Sequence, residues 1–138
     1  MKAATTHLDE IEVPTDFGPG EPLWKPIRNH FDVRAFGVNA WVARGEGDHA
    51  IVEHDESEAG HEELYFVSQG GAIFDIGGER LEAPAGSLVF IRDISVRRGA
   101  IATSPGTTIV TVGGWAQRPF EVSAWERRLL GEPQSSSE

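Results

Sequence analysis

Cysteine occurs nowhere in the 138 residues. Disulfides, thiolate metal ligands and a thiol nucleophile are therefore excluded. Positive charge is also scarce: 12 Lys and Arg stand against 22 Asp and Glu, for a formal net charge of -10. So acidic a chain offers no basic surface for nucleic-acid phosphates and is repelled by an anionic membrane, so neither partner is expected. No apolar run is long enough to span a bilayer, and Met1-Lys2 leads into no signal-peptide core, from which a cytoplasmic location is expected. A P-loop, a G-x-S-x-G elbow, a dinucleotide fingerprint and internal repeats are missing too. What remains is a chain with 39% apolar residues, four Trp and seven Phe, enough for one globular domain with a sizeable core.

Punctuation along the chain is frequent. Gly70-Gly71, Gly77-Gly78, Pro84-Ala85-Gly86 and Pro105-Gly106 mark turns. Between such breaks, strands are expected at 36–43, 50–56, 61–68, 72–76, 87–91, 96–102 and 107–113. Short strands at this spacing predict an all-β sandwich or barrel. Residues 1–22, with Pro14, Pro19 and Pro22, read as an N-terminal arm lying on the domain or on a neighbouring subunit. Residues 23–131 then form the domain. Near its end Ser123 and Glu126 have capping-box spacing before AWERRLL, and Gly131 and Pro133 stop the predicted helix. Residues 132–138 read as a disordered tail.

The segment EHDESEAGHEELYFV concentrates ionisable groups ahead of an apolar strand. Pairing 50–56 with 61–68 as an antiparallel hairpin leaves Ser57-Glu58-Ala59-Gly60 as its loop. Alternation then sets Val52, His54 and Glu56 on one face, and His61, Glu63, Tyr65 and Val67 on the facing one. Tyr65 and Val67 make that face the inner one. Imidazole and carboxylate together suit Fe, Mn, Ni, Co or Zn, whereas Mg and Ca prefer more oxygen. The competing reading is a solvated acidic loop without chemistry. Asn39 and Trp41 alternate on one strand face and either line the pocket or serve packing; His49, in the turn GEGDH, either approaches the site or faces solvent, and His30 and His7 carry no pattern.

The run HEELYFVSQGGAIFDIGGERLEAPAGSLVFI resembles the central part of the cupin superfamily, small double-stranded β-barrel (jelly-roll) proteins. The likeness covers roughly residues 36–113. The first cupin motif has the form G-x5-H-x-H-x3/4-E-x6-G; here Gly47, His54, Glu56, Glu63 and Gly70 fill G-x6-H-x-E-x6-E-x6-G. The second, G-x5-P-x-G-x2-H-x3-N, starts at Gly86 and lands on Arg92, Ile94, Arg97 and Ile101, so only its glycine is kept. The resemblance implies a single cupin-like barrel, a small-molecule ligand and a homodimer. It makes His54 and Glu63 counterparts of metal ligands, with Glu56 at the second histidine and Arg97 at the last.

Two expectations follow. In the leading one, His54, Glu56, His61 and Glu63 hold one divalent first-row ion (Fe, Mn, Ni or Zn), Arg97 and Tyr65 contact an oxygenated anionic substrate, and Glu56 or His61 acts as base. In the alternative, the protein is a metal-free binding or sensing module. Arginine has no lone pair to offer a metal, and a Glu56–Arg97 ion pair then replaces the ion as the link between strands. Arg98 is expected to point outward.

Overall fold

The computed structural model describes residues 2–133. Nine strands form two antiparallel sheets: β1 (Leu23–Lys25), β2 (Gly37–Val42), β3 (His49–His54), β4 (Glu62–Gln69), β5 (Gly71–Ile76), β6 (Glu79–Pro84), β7 (Leu88–Ile91), β8 (Arg98–Ala102) and β9 (Thr108–Gly114). The strand order is β1-β2-β9-β4-β7 in one sheet and β3-β8-β5-β6 in the other. Helices α1 (Ile27–Phe31) and α2 (Ala124–Leu130) complete the fold. No helix among the described residues is long and apolar enough to cross a membrane.

The inner faces follow from alternation. Tyr65 and Val67 of β4, Ala72 and Phe74 of β5, Ala100 of β8 and Ile109 of β9 are each at most 2% exposed and belong to one core cluster. Alanine at several of these positions lets the sheets approach, and Tyr65 meets Phe74 edge-on at 5.5 Å. Gly70 carries the chain from β4 into β5 at φ 74°, and a Cβ there would collide with the Thr107 side chain and backbone.

Three features depart from the sequence-based expectations. β1 and α1 lie where no element is predicted, between Pro22 and Phe31; Trp24 of β1 is fully buried and pairs with Trp41. β6 fills the interval between two expected turns. Most consequentially, the 50–56/61–68 hairpin does not form: β3 pairs with β8, and β4 with β7 and β9. The loop between β3 and β4 crosses from one sheet to the other, so their charged ends meet across the barrel rather than along a ladder.

The N-terminal segment lies on the barrel. Ile11 is 4% exposed, its carbonyl accepts from Lys25 Nζ at 2.7 Å, and Phe17 packs on Trp24 and Trp41. Helix α2 ends as predicted, with Gly131 left-handed at φ 67°. Its capping box is not made. Ser123 gives no side-chain cap, and Glu126 is buried in an ion pair with Arg28 of α1, whose second nitrogen reaches Glu132 at 2.6 Å. Burial pushes the Glu126 carboxyl up despite this partner. The tail expected at 132–138 falls, from residue 134 onward, outside the described residues.

Candidate functional site

A cavity of about 510 Å³ lies between the sheets. Its floor is read from the ladders. One rung runs Glu63–Gly113–Gly37 across β4, β9 and β2, and the next runs Tyr65–Thr111–Asn39. Two glycines in one rung leave room beside Glu63: a Cβ at Gly113 would crowd the Glu62 carbonyl at 3.3 Å and meet Glu63 Cγ and His61 Cβ in ordinary contact at 3.4 and 3.6 Å, and one at Gly37 would press on the Phe120 ring at 3.1 Å.

His54 ends β3 opposite Arg98. The β3–β8 ladder shifts register between Ile51 and His54, and a bulge of this kind re-aims a side chain. The His54 Nδ1–H donates to the Val52 carbonyl at 2.7 Å, which turns Nε2 toward Glu56 at 2.9 Å and Glu63 at 3.7 Å. One ligand atom from each of His54, Glu56 and Glu63 lies within 4.8 Å of the others. Burial alone would lower the His54 pKa; hydrogen bonds to the two carboxylates overcome it and push the imidazole up to about 10.

Glu63 is held from behind. Its Oε1 accepts from the Tyr65 hydroxyl at 2.5 Å and from Arg98 Nη1 at 2.9 Å. Burial raises the Glu63 carboxyl, but the His54 and Tyr65 hydrogen bonds and the His54 and Arg98 charges reverse this and leave it below its ordinary value. Burial and the neighbouring Glu63 charge push the Tyr65 phenol well up, so it stays a donor. Arg98 also donates from Nε to the Val96 carbonyl at 2.9 Å and from Nη2 to the Asp93 carbonyl at 3.0 Å. A fully buried guanidinium is thus satisfied by groups of the fold itself.

The arginine assignment is therefore corrected. Arg98, expected outside, is the inward residue, alternating with buried Ala100 and Ala102 along β8. Arg97 lies on the surface, 60% exposed, and pairs with Glu53 at 2.5 Å. The Glu56–Arg97 pair is not formed, because Glu56 faces His54. Counting along the second cupin motif misplaces the arginine by one residue.

His61 stands apart from the three-residue cluster. It lines the same cavity, 7% exposed, edge-on to Trp115 at 4.5 Å and beside Phe120 at 5.6 Å. Burial lowers its pKa, keeping the imidazole neutral, and its buried Nε2 has no hydrogen-bond partner. Glu21 Oε2 is buried without a partner as well, while its Oε1 faces His49 Nδ1 at 3.3 Å. Asn39 and Trp41 both line the cavity. Sequence reasoning gave no site role to Glu21, Phe17, Phe120 or Trp125, all of which line it. They belong to segments outside the strands, where no periodicity points inward.

The donor set suits a first-row ion. One imidazole nitrogen and two carboxylates converge, the histidine's other nitrogen is anchored on a carbonyl, and the Glu63 oxygen that faces His54, Oε1, is fixed by Tyr65 and Arg98.

No protein-family profile and no curated protein matches the sequence. Solved structures do. A Klebsiella pneumoniae protein with a double-stranded β-helix domain gives a TM-score of 0.63 at 19% identity, covering 88% of this chain and 93% of that one. An RmlC-like cupin from Desulfovibrio desulfuricans gives 0.60 at 18%, covering 80% and 95%. A predicted oxalate decarboxylase from Thermotoga maritima gives 0.60 at 17%, covering 80% and 97%. At such identities the likeness is one of fold: the chain is a double-stranded β-barrel of the cupin type.

Proposed function

We propose that this protein binds one divalent first-row metal ion, Fe, Mn, Ni or Zn, through His54, Glu56 and Glu63, and a small oxygenated anion beside it in the cavity. The observation that carries this reading is the convergence on one cavity wall of three donors, His54 from one sheet, Glu63 from the other and Glu56 from the loop between them, with His54 Nε2 turned inward by its Nδ1–Val52 bond. With a neutral imidazole, Glu56 and Glu63 against Arg98 leave a formal -1, and a divalent ion makes the site +1. A net positive site favours an anion. The likeness to a predicted oxalate decarboxylase supports small organic anions as the ligand class.

When bound, the ion would polarise a ligand oxygen as a Lewis acid. Arg98 and Tyr65 hold Glu63 in place, and neutral His61, which lines the cavity and whose buried Nε2 has no partner, is the group suited to moving a proton to or from the ligand. Glu56, 12% exposed at its side chain, is the second candidate base. Calorimetric titration of metal-free protein with Mn²⁺ and Zn²⁺ tests the site. Saturable one-to-one uptake, abolished by His54→Ala with Glu63→Gln, is expected, and wild-type protein that takes up neither ion contradicts the reading.

The second reading, a metal-free binding or sensing module, is favoured by one observation: His54 and Glu56 already neutralise each other at 2.9 Å. The same titration separates the two.

A second copy of the chain is the proposed partner. Leu64, Phe66, Leu88 and Phe90 are 37–65% exposed on the outer face of β4 and β7, paired Leu64–Phe90 and Phe66–Leu88. β7 is the outermost strand of its sheet. In a chain of net charge -10, these four uncharged side chains make a face where two copies meet without repulsion.

A further inference from the structure

The cavity has two unlike ends, and together they specify a class of ligand. One end is the His54–Glu56–Glu63 cluster, and the inference rests on the metal site proposed there. The other end is aromatic. Phe17 of the N-terminal segment, Trp41 of β2 and Trp125 of α2 line it, with Phe17–Trp41 and Trp41–Trp125 centroids each 6.4 Å apart. Trp24 backs this wall. It is fully buried, stacks on Trp41 at 6.2 Å, meets Trp125 at 5.1 Å, and is fixed by donating from Nε1 to Asn39 at 2.8 Å.

A volume of about 510 Å³ lies in the range of cavities that take drug-sized ligands. A two-carbon dicarboxylate would occupy the charged end alone and leave the aromatic wall against water. Aromatic walls of this kind bind flat apolar bodies by burial and offset stacking. His61 adds a third constraint. Buried polar atoms are nearly always hydrogen-bonded, yet its Nε2 is not. Its Cβ would lie 3.6 Å from a Cβ on Gly113, beside Glu63, so the His61 side chain springs from the charged end of the cavity it lines.

The geometry points to an aryl-substituted hydroxy acid as the ligand class: a carboxylate and an adjacent hydroxyl at the charged cluster, one of their oxygens bonded to His61 Nε2, and the aromatic ring on the Phe17–Trp41–Trp125 wall. Lactate and mandelate separate these parts, since they share the hydroxy-acid head and differ by a methyl against a phenyl group.

The experiment is titration of the full chain, reconstituted with Mn²⁺ and separately metal-free, with both acids, read by calorimetry and tryptophan fluorescence. Mandelate is expected to bind on the order of 50-fold more tightly than lactate, from burial of roughly 100 Å² of ring surface. Trp125→Ala and Phe17→Ala, on separate segments, each bring the ratio below about five. His61→Phe, which keeps the packing on Trp115 and Phe120, weakens both acids by about tenfold. Stoichiometric metal with a mandelate-to-lactate ratio near one, or a ratio indifferent to both aromatic variants, overturns the ligand class and leaves the metal site standing. A ring preference in protein that takes up no metal supports the ligand class while removing the metal. Neither metal nor acid bound overturns both.

Discussion

Arg98→Met is the perturbation whose outcome is best determined by the structure. The guanidinium is 0% exposed at its side chain and makes three hydrogen bonds of 3.0 Å or less, to Glu63, Val96 and Asp93. Removing it strands the Glu63 carboxylate, 15% exposed, beside His54 and Tyr65 alone. Breaking a buried pair from one side costs about 3–5 kcal/mol, a large part of the roughly 5–15 kcal/mol that holds a domain folded. In a domain of this size the melting temperature should fall by about 10–20 °C. Arg97→Met is the control. Its pair with Glu53 is 60% and 59% exposed, so its loss should stay within about 0.5 kcal/mol. Urea unfolding at pH 7 of the two single variants and of Arg98→Met with Glu63→Leu decides the matter. The double variant should recover much of the loss, because apolar replacement of both partners of a buried pair is often neutral. The reasoning is refuted if Arg97→Met is the more damaging single change, or if Arg98→Met costs less than about 1 kcal/mol.

Other expectations are as direct. In metal-free protein, the raised His54 pKa means that stabilisation from its charge is complete below its ordinary value of 6.5 and is lost as pH rises through about 10; denaturation midpoints between pH 6 and 10 should fall in wild type and flatten in His54→Gln. Gly70→Ala forces a side chain to φ 74° against Thr107 and should cost at least about 2 kcal/mol, measured by the same unfolding. Leu88→Lys with Phe90→Lys should convert a dimer to monomers in sedimentation velocity while retaining the β-sheet circular dichroism spectrum; a wild-type monomer would contradict the assigned partner.

Much of the barrel was legible because its inner strands alternate. β2, β4, β5, β7 and β9 lie within or close to the intervals that apolar periodicity and glycine turns mark out, and Tyr65 and Val67 face inward as expected. β1 escaped notice because three residues between two prolines carry no period, and β6 because ERLEAP is half charged and mostly exposed. The hairpin error has a different origin. A seven-residue gap between β3 and β4 is compatible in sequence with a hairpin or with a crossing between sheets, and only long-range pairing with β8 and β9 distinguishes them. His54, Glu56 and Glu63 converge in both arrangements, so this part of the site survived the wrong topology. The inward arginine was displaced by one position because motif counting ignores the local alternation of β8. Glu126 looked like a cap because its actual partner, Arg28, is 98 residues away.

Metal content bears most directly on the central claim. Protein purified without an affinity tag, then reconstituted with Fe, Mn, Ni and Zn in turn, should carry close to one ion per chain of at least one of them by elemental analysis, and His54→Ala with Glu63→Gln should carry none. Absence of metal from the wild type under every condition, or equal metal in the double variant, would contradict the assignment of His54, Glu56 and Glu63 as ligands.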